Sequence, residues 1–266
     1  MTKRILGAIV LIAIFVPFLI IGELPFTILM SVLSIFGLYE LLKVRETKKK
    51  FPLVLKIFAY LLTCYFCLYN TNSIEFINKF DYRVMAGIIF LFISPIVFIN
   101  NNEEYNINDA LFLIGSVLFI GLSFNLIIIT RNYDITYIIY LLLITTITDT
   151  FALFTGMLIG KHKLCPKISP KKTIEGLIGG TIMGTFVATI FYNTIISSTV
   201  PLVTVIMLTF VLCLVGQLGD LVFSSIKRYY DVKDFSNLIP GHGGILDRFD
   251  SLIFVVLAFT ILIEIL

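Results

Sequence analysis

Residues 202–266 read LVTVIMLTFVLCLVGQLGDLVFSSIKRYYDVKDFSNLIPGHGGILDRFDSLIFVVLAFTILIEIL. Two apolar runs, Leu202–Phe223 and Leu252–Leu266, flank a charged stretch, Ser224–Asp250. That stretch sets Lys227, Arg228, Lys233 and Arg248 beside Asp231, Asp234, Asp247 and Asp250, around Pro240-Gly241-His242-Gly243-Gly244. A plain connector between membrane helices needs neither the charges nor the glycines. A site for a polyphosphate and its cation needs both. Glycine lets backbone N–H groups approach phosphate oxygens. Lysine and arginine neutralise phosphate charge, and aspartate binds hard cations such as Mg²⁺.

Composition places the whole chain in the same setting. Of 266 residues, 58% are hydrophobic and 14% charged, with a mean hydropathy of +1.01. Soluble domains carry about 25% charged residues, so an all-α polytopic membrane protein is expected. Apolar runs long enough to cross about 30 Å of hydrocarbon fall near 5–22, 25–42, 52–69, 84–100, 110–130, 135–160, 174–193, 201–224 and 249–266, about nine transmembrane helices. Pro95 interrupts the fourth. The N-terminal Met-Thr-Lys-Arg and its apolar run lack a small-residue cleavage site and read as a retained first helix. Cys64 and Cys67 form a C-x-x-C inside an apolar run with no second Cys or His pair nearby, so they read as small helix residues.

With a cytoplasmic N-terminus and an external C-terminus, 17 of the 20 basic residues fall on the cytoplasmic side. Only Lys79, Arg83 and Arg131 do not, which is the asymmetry that orients membrane proteins. The lysine-rich 161–173 loop and the 225–248 loop then share the cytoplasmic face, where nucleotide triphosphates are found. The chain divides into residues 1–134, a packing or lipid-facing half without evident chemistry, and 135–266, which carries nearly all the motifs.

In that second half, Asp149 lies deep in the sixth run, where a carboxylate is costly unless paired or solvated. Thr145, Asp149, Ala152, Gly156 and Gly160 share one helical face, a small and polar stripe suited to lining a cavity or to close packing. Ser169-Pro170-Lys171-Lys172-Thr173 precedes a helix that Thr173 can cap, placing two lysines beside free N–H groups. Gly176, Gly180 and Gly184 mark a close helix–helix contact, within one chain or between two copies in a homodimer. Asp220, Ser224 and Lys227 share a face of the eighth span, and Gln217 continues it. His242 could serve as a base, a phosphate donor or a loop anchor.

The string Ser224-x-Ile226-Lys227-Arg228, Lys233-Asp234-x-Ser236, Ile239-Pro240-x-His242-Gly243-Gly244, Asp247-Arg248-Phe249-Asp250 resembles the signature of the phosphatidate cytidylyltransferases. The segment from Ser169 to Gly176 is also similar to that family. The resemblance implies conversion of phosphatidate and CTP to CDP-diacylglycerol and pyrophosphate at the cytoplasmic face of the cell membrane. It implies catalytic roles for Asp220, Lys227, Arg228, Asp247 and Arg248. Asp220 and Asp247 would hold Mg²⁺, with or without a second cation. Asp149, Lys171, Lys172, Ser224, Lys233, His242, Gly243 and Gly244 would contact substrates. The partners are then phosphatidate, CTP and membrane lipids, with no nucleic acid. The sequence departs from the family pattern at Phe223, where a glutamate is expected, and at Phe151 and Leu153, where glycine and tyrosine are expected. Two other readings remain open at this level: the same chemistry on another lipid phosphate, such as an ether-linked one, and an ion-coupled transporter using Asp149 and Asp220.

Overall fold

The computed structural model describes residues 13–69, 82–99, 104–239, 241 and 243–263. Helical residues 13–21 (α1) are followed by α2 (Glu23–Arg45), α3 (Leu53–Leu68), α4 (Tyr82–Ile93), α5 (Pro95–Phe98) and α6 (Ile107–Tyr133). Next come α7 (Ile135–Ile159), α8 (Ile174–Phe191), α9 (Leu202–Tyr229) and α10 (Leu246–Leu262). A π-helical turn, Tyr192–Ile196, extends α8. Among the described residues, α2, α6, α7, α8 with its extension, and α9 are long and apolar enough to cross a membrane. The apolar helix α3 and the segment 83–98 are shorter. The chain is a multi-pass helical membrane protein. Pro95 breaks its run as expected, because proline lacks the N–H and clashes with the preceding turn.

One feature is not helical. Residues 163–173 form an antiparallel ribbon, β1 (Lys163–Cys165) against β2 (Ser169–Thr173). The sequence reads there only as a basic loop. The strands are too short to show alternation, and Pro170 is tolerated because a two-stranded ribbon has only edges.

The chain forms two compact units, residues 1–133 with 235–246, and residues 134–234 with 247–266. In the first, α2, α3 and α6 pack together. Phe26, Met30 and Leu38 of α2, Ala59 and Cys67 of α3, and Ile120 and Phe124 of α6 are wholly buried. Cys67 donates to the Ser34 hydroxyl at 3.1 Å, and Cys64 and Cys67 are both free thiols, in keeping with their reading as helix residues. Asp109 is buried and ion-paired to Arg45 at 2.7 Å and Lys49 at 2.5 Å.

In the second unit α7 packs closely on α8, and α8 on α9. The α8 glycines make the first contact within one chain. A Cβ at Gly180 would lie 2.6 Å from the Thr148 carbonyl oxygen and 2.8 Å from Ala152 Cβ, and one at Gly176 would lie 2.6 Å from the Ala152 carbonyl oxygen. Lipid supplies no hydrophobic drive between helices, so backbone approach of this kind provides the packing. A Cβ at Gly115 on α6 would meet nothing within 4 Å. Gly180→Leu is therefore expected to cost at least ~1–3 kcal/mol through overpacking, seen as a lower melting temperature in detergent. Gly115→Ala should be neutral, or stabilising by up to ~1 kcal/mol.

Candidate active site

Helix α9 builds one wall. Gln217, Asp220, Ser224 and Lys227 are spaced by three, four and three residues and so share a face. The helix continues past the apolar run to Tyr229, which puts Lys227 and Arg228 in its last turn, where cations are favoured. Helix α10 starts at Leu246, so Asp247 lies in its first turn, where anions are favoured. The connection between the helices is thus shorter than the charged stretch of sequence implies, because both ends of that stretch are helical.

The two ends meet. Lys227 Nζ donates to Asp247 Oδ1 at 2.6 Å, and both residues are only 9% exposed. A second pair joins ribbon to helix: Lys172 Nζ lies 2.5 Å from Asp220 Oδ2. Ser224 Oγ donates to Asp220 Oδ1 at 3.3 Å, so Asp220 is held from two sides.

Local contacts fix the ribbon that presents Lys172. Thr173 caps α8 as expected, accepting from the Gly176 N–H at 3.1 Å. Glu175 accepts from the His162 N–H at 3.2 Å, and its carboxylate lies 2.6 Å from His162 Nδ1. Arg228 donates through Nε to the Ile168 carbonyl at 3.3 Å and through Nη1 to the Val232 carbonyl at 3.0 Å. Its guanidinium latches the ribbon turn to the end of α9.

These elements enclose a cavity of about 740 Å³. Asp149, Lys171, Lys172, Asp220, Lys227, Asp247 and Arg248 line it. So do residues that the sequence reading did not assign: Lys163, Thr173, Gln217, Asp234 and Asp250. Asp234 and Asp250 stood in the charged stretch itself, and their membership of it was the available signal. Of the stripe on α7, Asp149, Ala152 and Gly156 reach the cavity, and Leu153, Met157, Leu164 and Leu177 give it an apolar side. Arg228, Ser224, Lys233, Gly243 and Gly244 do not appear in its lining. His242 lies outside the described residues. Gly243 and Gly244 belong to the first unit, where a Cβ on Gly244 would run into the carboxylate of Glu40. Glu40 was also missed, although an acid inside an apolar helix is itself a signal.

The donor chemistry suits a hard divalent cation, since Asp149, Asp220, Asp247 and Asp250 offer carboxylate oxygens to one cavity. Among the described residues no three His, Cys, Asp or Glu side chains are already gathered as a metal cage.

Phe223 is wholly buried, its ring 6.2 Å from that of Phe254 in an edge-on contact. Its side chain packs between α9 and α10 instead of lining the cavity. A carboxylate there would enter an aromatic contact and lose that packing.

Residues 2–266 match the cytidylyltransferase family, and the chain belongs to it. It is 37% identical over 261 residues to a phosphatidate cytidylyltransferase of Bacillus subtilis strain 168, covering 96% of this chain and 94% of that one. Proteins of the same name from Staphylococcus haemolyticus and Staphylococcus aureus strain COL are 36% and 35% identical, over 99% of each chain.

Phe223→Glu is expected to destabilise the protein by several kcal/mol, in the range of ~2–7 kcal/mol for an uncompensated buried polar group. Phe223→Leu should keep the fold. Thermal melting and the yield of monodisperse protein distinguish them, and wild-type stability of the glutamate variant would overturn the packing role.

Proposed function

We propose that this chain is an integral-membrane nucleotidyltransferase that converts phosphatidate and CTP to CDP-diacylglycerol and pyrophosphate. The observation that carries this is the cavity in which five aspartates meet four lysines and an arginine beside an apolar side. A lipid phosphate and a nucleoside triphosphate need that combination. A phosphatidate oxygen attacks the α-phosphorus of CTP. The new P–O bond forms as the bond to the bridging oxygen breaks, and pyrophosphate leaves with that electron pair. The nucleophile is already anionic, so no general base is required.

The main obstacle is repulsion between polyanions. Two unit charges 4 Å apart at an effective dielectric of 20 repel by about 4 kcal/mol, and several such pairs arise. Catalysis is then positioning and charge neutralisation. Lys171, Lys172, Lys227 and Arg248 neutralise the phosphates. Asp220 and Asp247 would hold Mg²⁺, which supplies electrophilic activation and further charge neutralisation when bound. Leu153, Met157, Leu164 and Leu177 give the glycerol and acyl end an apolar neighbour.

The proposed setting is the cell membrane, with the cavity facing the cytoplasm. In support, counting α4 with α5 as one broken helix, nine helical segments occur among the described residues. If each crosses the membrane, the bias of 17 in 20 basic residues puts the N-terminus inside and the C-terminus outside.

Purified protein is expected to turn over phosphatidate with CTP, with EDTA abolishing turnover and Mg²⁺ restoring it. Asp220→Asn and Asp247→Asn should each lower turnover by at least about 100-fold, or ~2.7 kcal/mol of barrier, without loss of folded protein. Near-normal turnover of either at saturating Mg²⁺ would remove it from the metal assignment. Asn237→Cys, at an exposed position, should react with a membrane-impermeant thiol reagent in inverted vesicles and not in intact cells. The reverse result would overturn the orientation.

A further inference from the structure

Helix α2 carries an acidic side chain deep within its length. Glu40 is wholly buried, and its partners come from a segment about 200 residues away. Glu40 Oε1 accepts from Ser236 Oγ at 2.5 Å and from the Ile245 N–H at 2.8 Å. Oε2 accepts from the Leu246 N–H at 2.9 Å. These N–H groups belong to the start of α10, where a helix leaves its first donors without internal partners. A carboxylate is well suited to accept them, because its bonds are charge-assisted and it meets the positive end of the helix dipole.

The surroundings are shaped to this carboxylate. Gly244 leaves no room for a Cβ, which would overlap both Glu40 oxygens. One turn earlier on α2, a Cβ at Gly37 would lie 3.1 Å from Leu246 Cδ2. The segment closes on itself as well. Gly243 has φ 81°, a conformation natural to glycine, and its carbonyl accepts from the Ile239 N–H at 2.9 Å. Part of the glycine content of the charged stretch therefore serves an internal carboxylate.

We propose that Glu40 is a positioning residue: a buried carboxylate on α2 that caps the start of α10 and thereby fixes Asp247 and Arg248, the next two residues of the chain. It touches neither substrate. It acts by holding the backbone from which two cavity side chains project, and an error of about 1 Å in such placement can cost 100-fold in rate.

The test compares full-length wild type, Glu40→Ala, Glu40→Gln and Asp109→Asn by hydrogen–deuterium exchange and by kinetics. Asp109 is an equally buried acid in the same unit and controls for general destabilisation. In Glu40→Ala the amides of Ile245 and Leu246 are expected to exchange at least about tenfold faster. Its kcat per folded molecule should fall at least about 30-fold while KM for CTP stays within about threefold. Glu40→Gln keeps an acceptor of the same shape and should fall between alanine and wild type in both readouts. Asp109→Asn should keep kcat per folded molecule within about threefold of wild type, however much it lowers stability. Unchanged exchange at these amides, unchanged kcat per folded molecule, or an equal kcat loss in Asp109→Asn would overturn the proposal. Should Glu40→Ala not fold, Glu40→Gln decides alone, and wild-type values in both readouts would overturn it. The kinetic arm rests on the proposed reaction. A wild type inactive with phosphatidate and CTP would sink that reading, while the exchange arm still decides the role of Glu40.

Discussion

A charge surrounded by apolar helices persists only if another charge or a set of donors meets it. Leaving one buried charge without its partner typically costs about 3–5 kcal/mol. That constraint organises the second unit. Lys227 with Asp247, both buried, ties the end of α9 to the start of α10. The partly exposed pair Lys172 with Asp220, for which solvent screening makes that penalty smaller, ties the ribbon to α9. On the proposed reaction, the same pairs would govern what the cavity accepts. An anion can take over a lysine and a cation an aspartate, so a polyphosphate entering with its cation leaves no charge unmet. A neutral ligand could not make that exchange.

The pairing depends on backbones that approach closely. The α8 glycines let the ridge of α7 settle against them, so Asp149 on α7 reaches the cavity that Asp220 reaches from α9. The ribbon serves the same end. Its capping threonine, the His162–Glu175 contact and the Arg228 latch hold a five-residue strand in register, so that Lys172 projects from a fixed backbone rather than a free loop. Arg228, expected to act on substrate, donates to the carbonyls of Ile168 and Val232 and so also takes part in this architecture. An ion-coupled transporter would account for Asp149 and Asp220, but it leaves the ribbon lysines and Arg248 at the same cavity without a purpose.

Much of this was legible in the residues. Apolar run length announced the membrane helices, and Pro95 announced the break between α4 and α5. Thr173 before a helix announced its cap. The i, i+3, i+7 and i+10 spacing placed Gln217, Asp220, Ser224 and Lys227 on one face. What stayed hidden were features that depend on distant partners. The 163–173 ribbon is too short for a periodic signal. Phe223 looked like a vacancy in a carboxylate pattern until its ring was found against Phe254. Glu40, in an apolar run, went unassigned because its partners lie far along the chain.

The sequence by itself determined that the chain is helical and membrane-embedded, that its charges cluster in the second half, and which residue types could meet phosphate and cation. Those properties are local: they depend on composition, on helical periodicity and on what each side chain costs in lipid. Only the tertiary structure decided which charges share a cavity, which glycines serve helix packing and which serve a carboxylate, and that Glu40 meets Ser236, Ile245 and Leu246. The physical reason is that a hydrogen bond or ion pair is fixed by distance in space. Glu40 and Leu246 are 206 positions apart in the chain, and no pattern along the chain records that they touch.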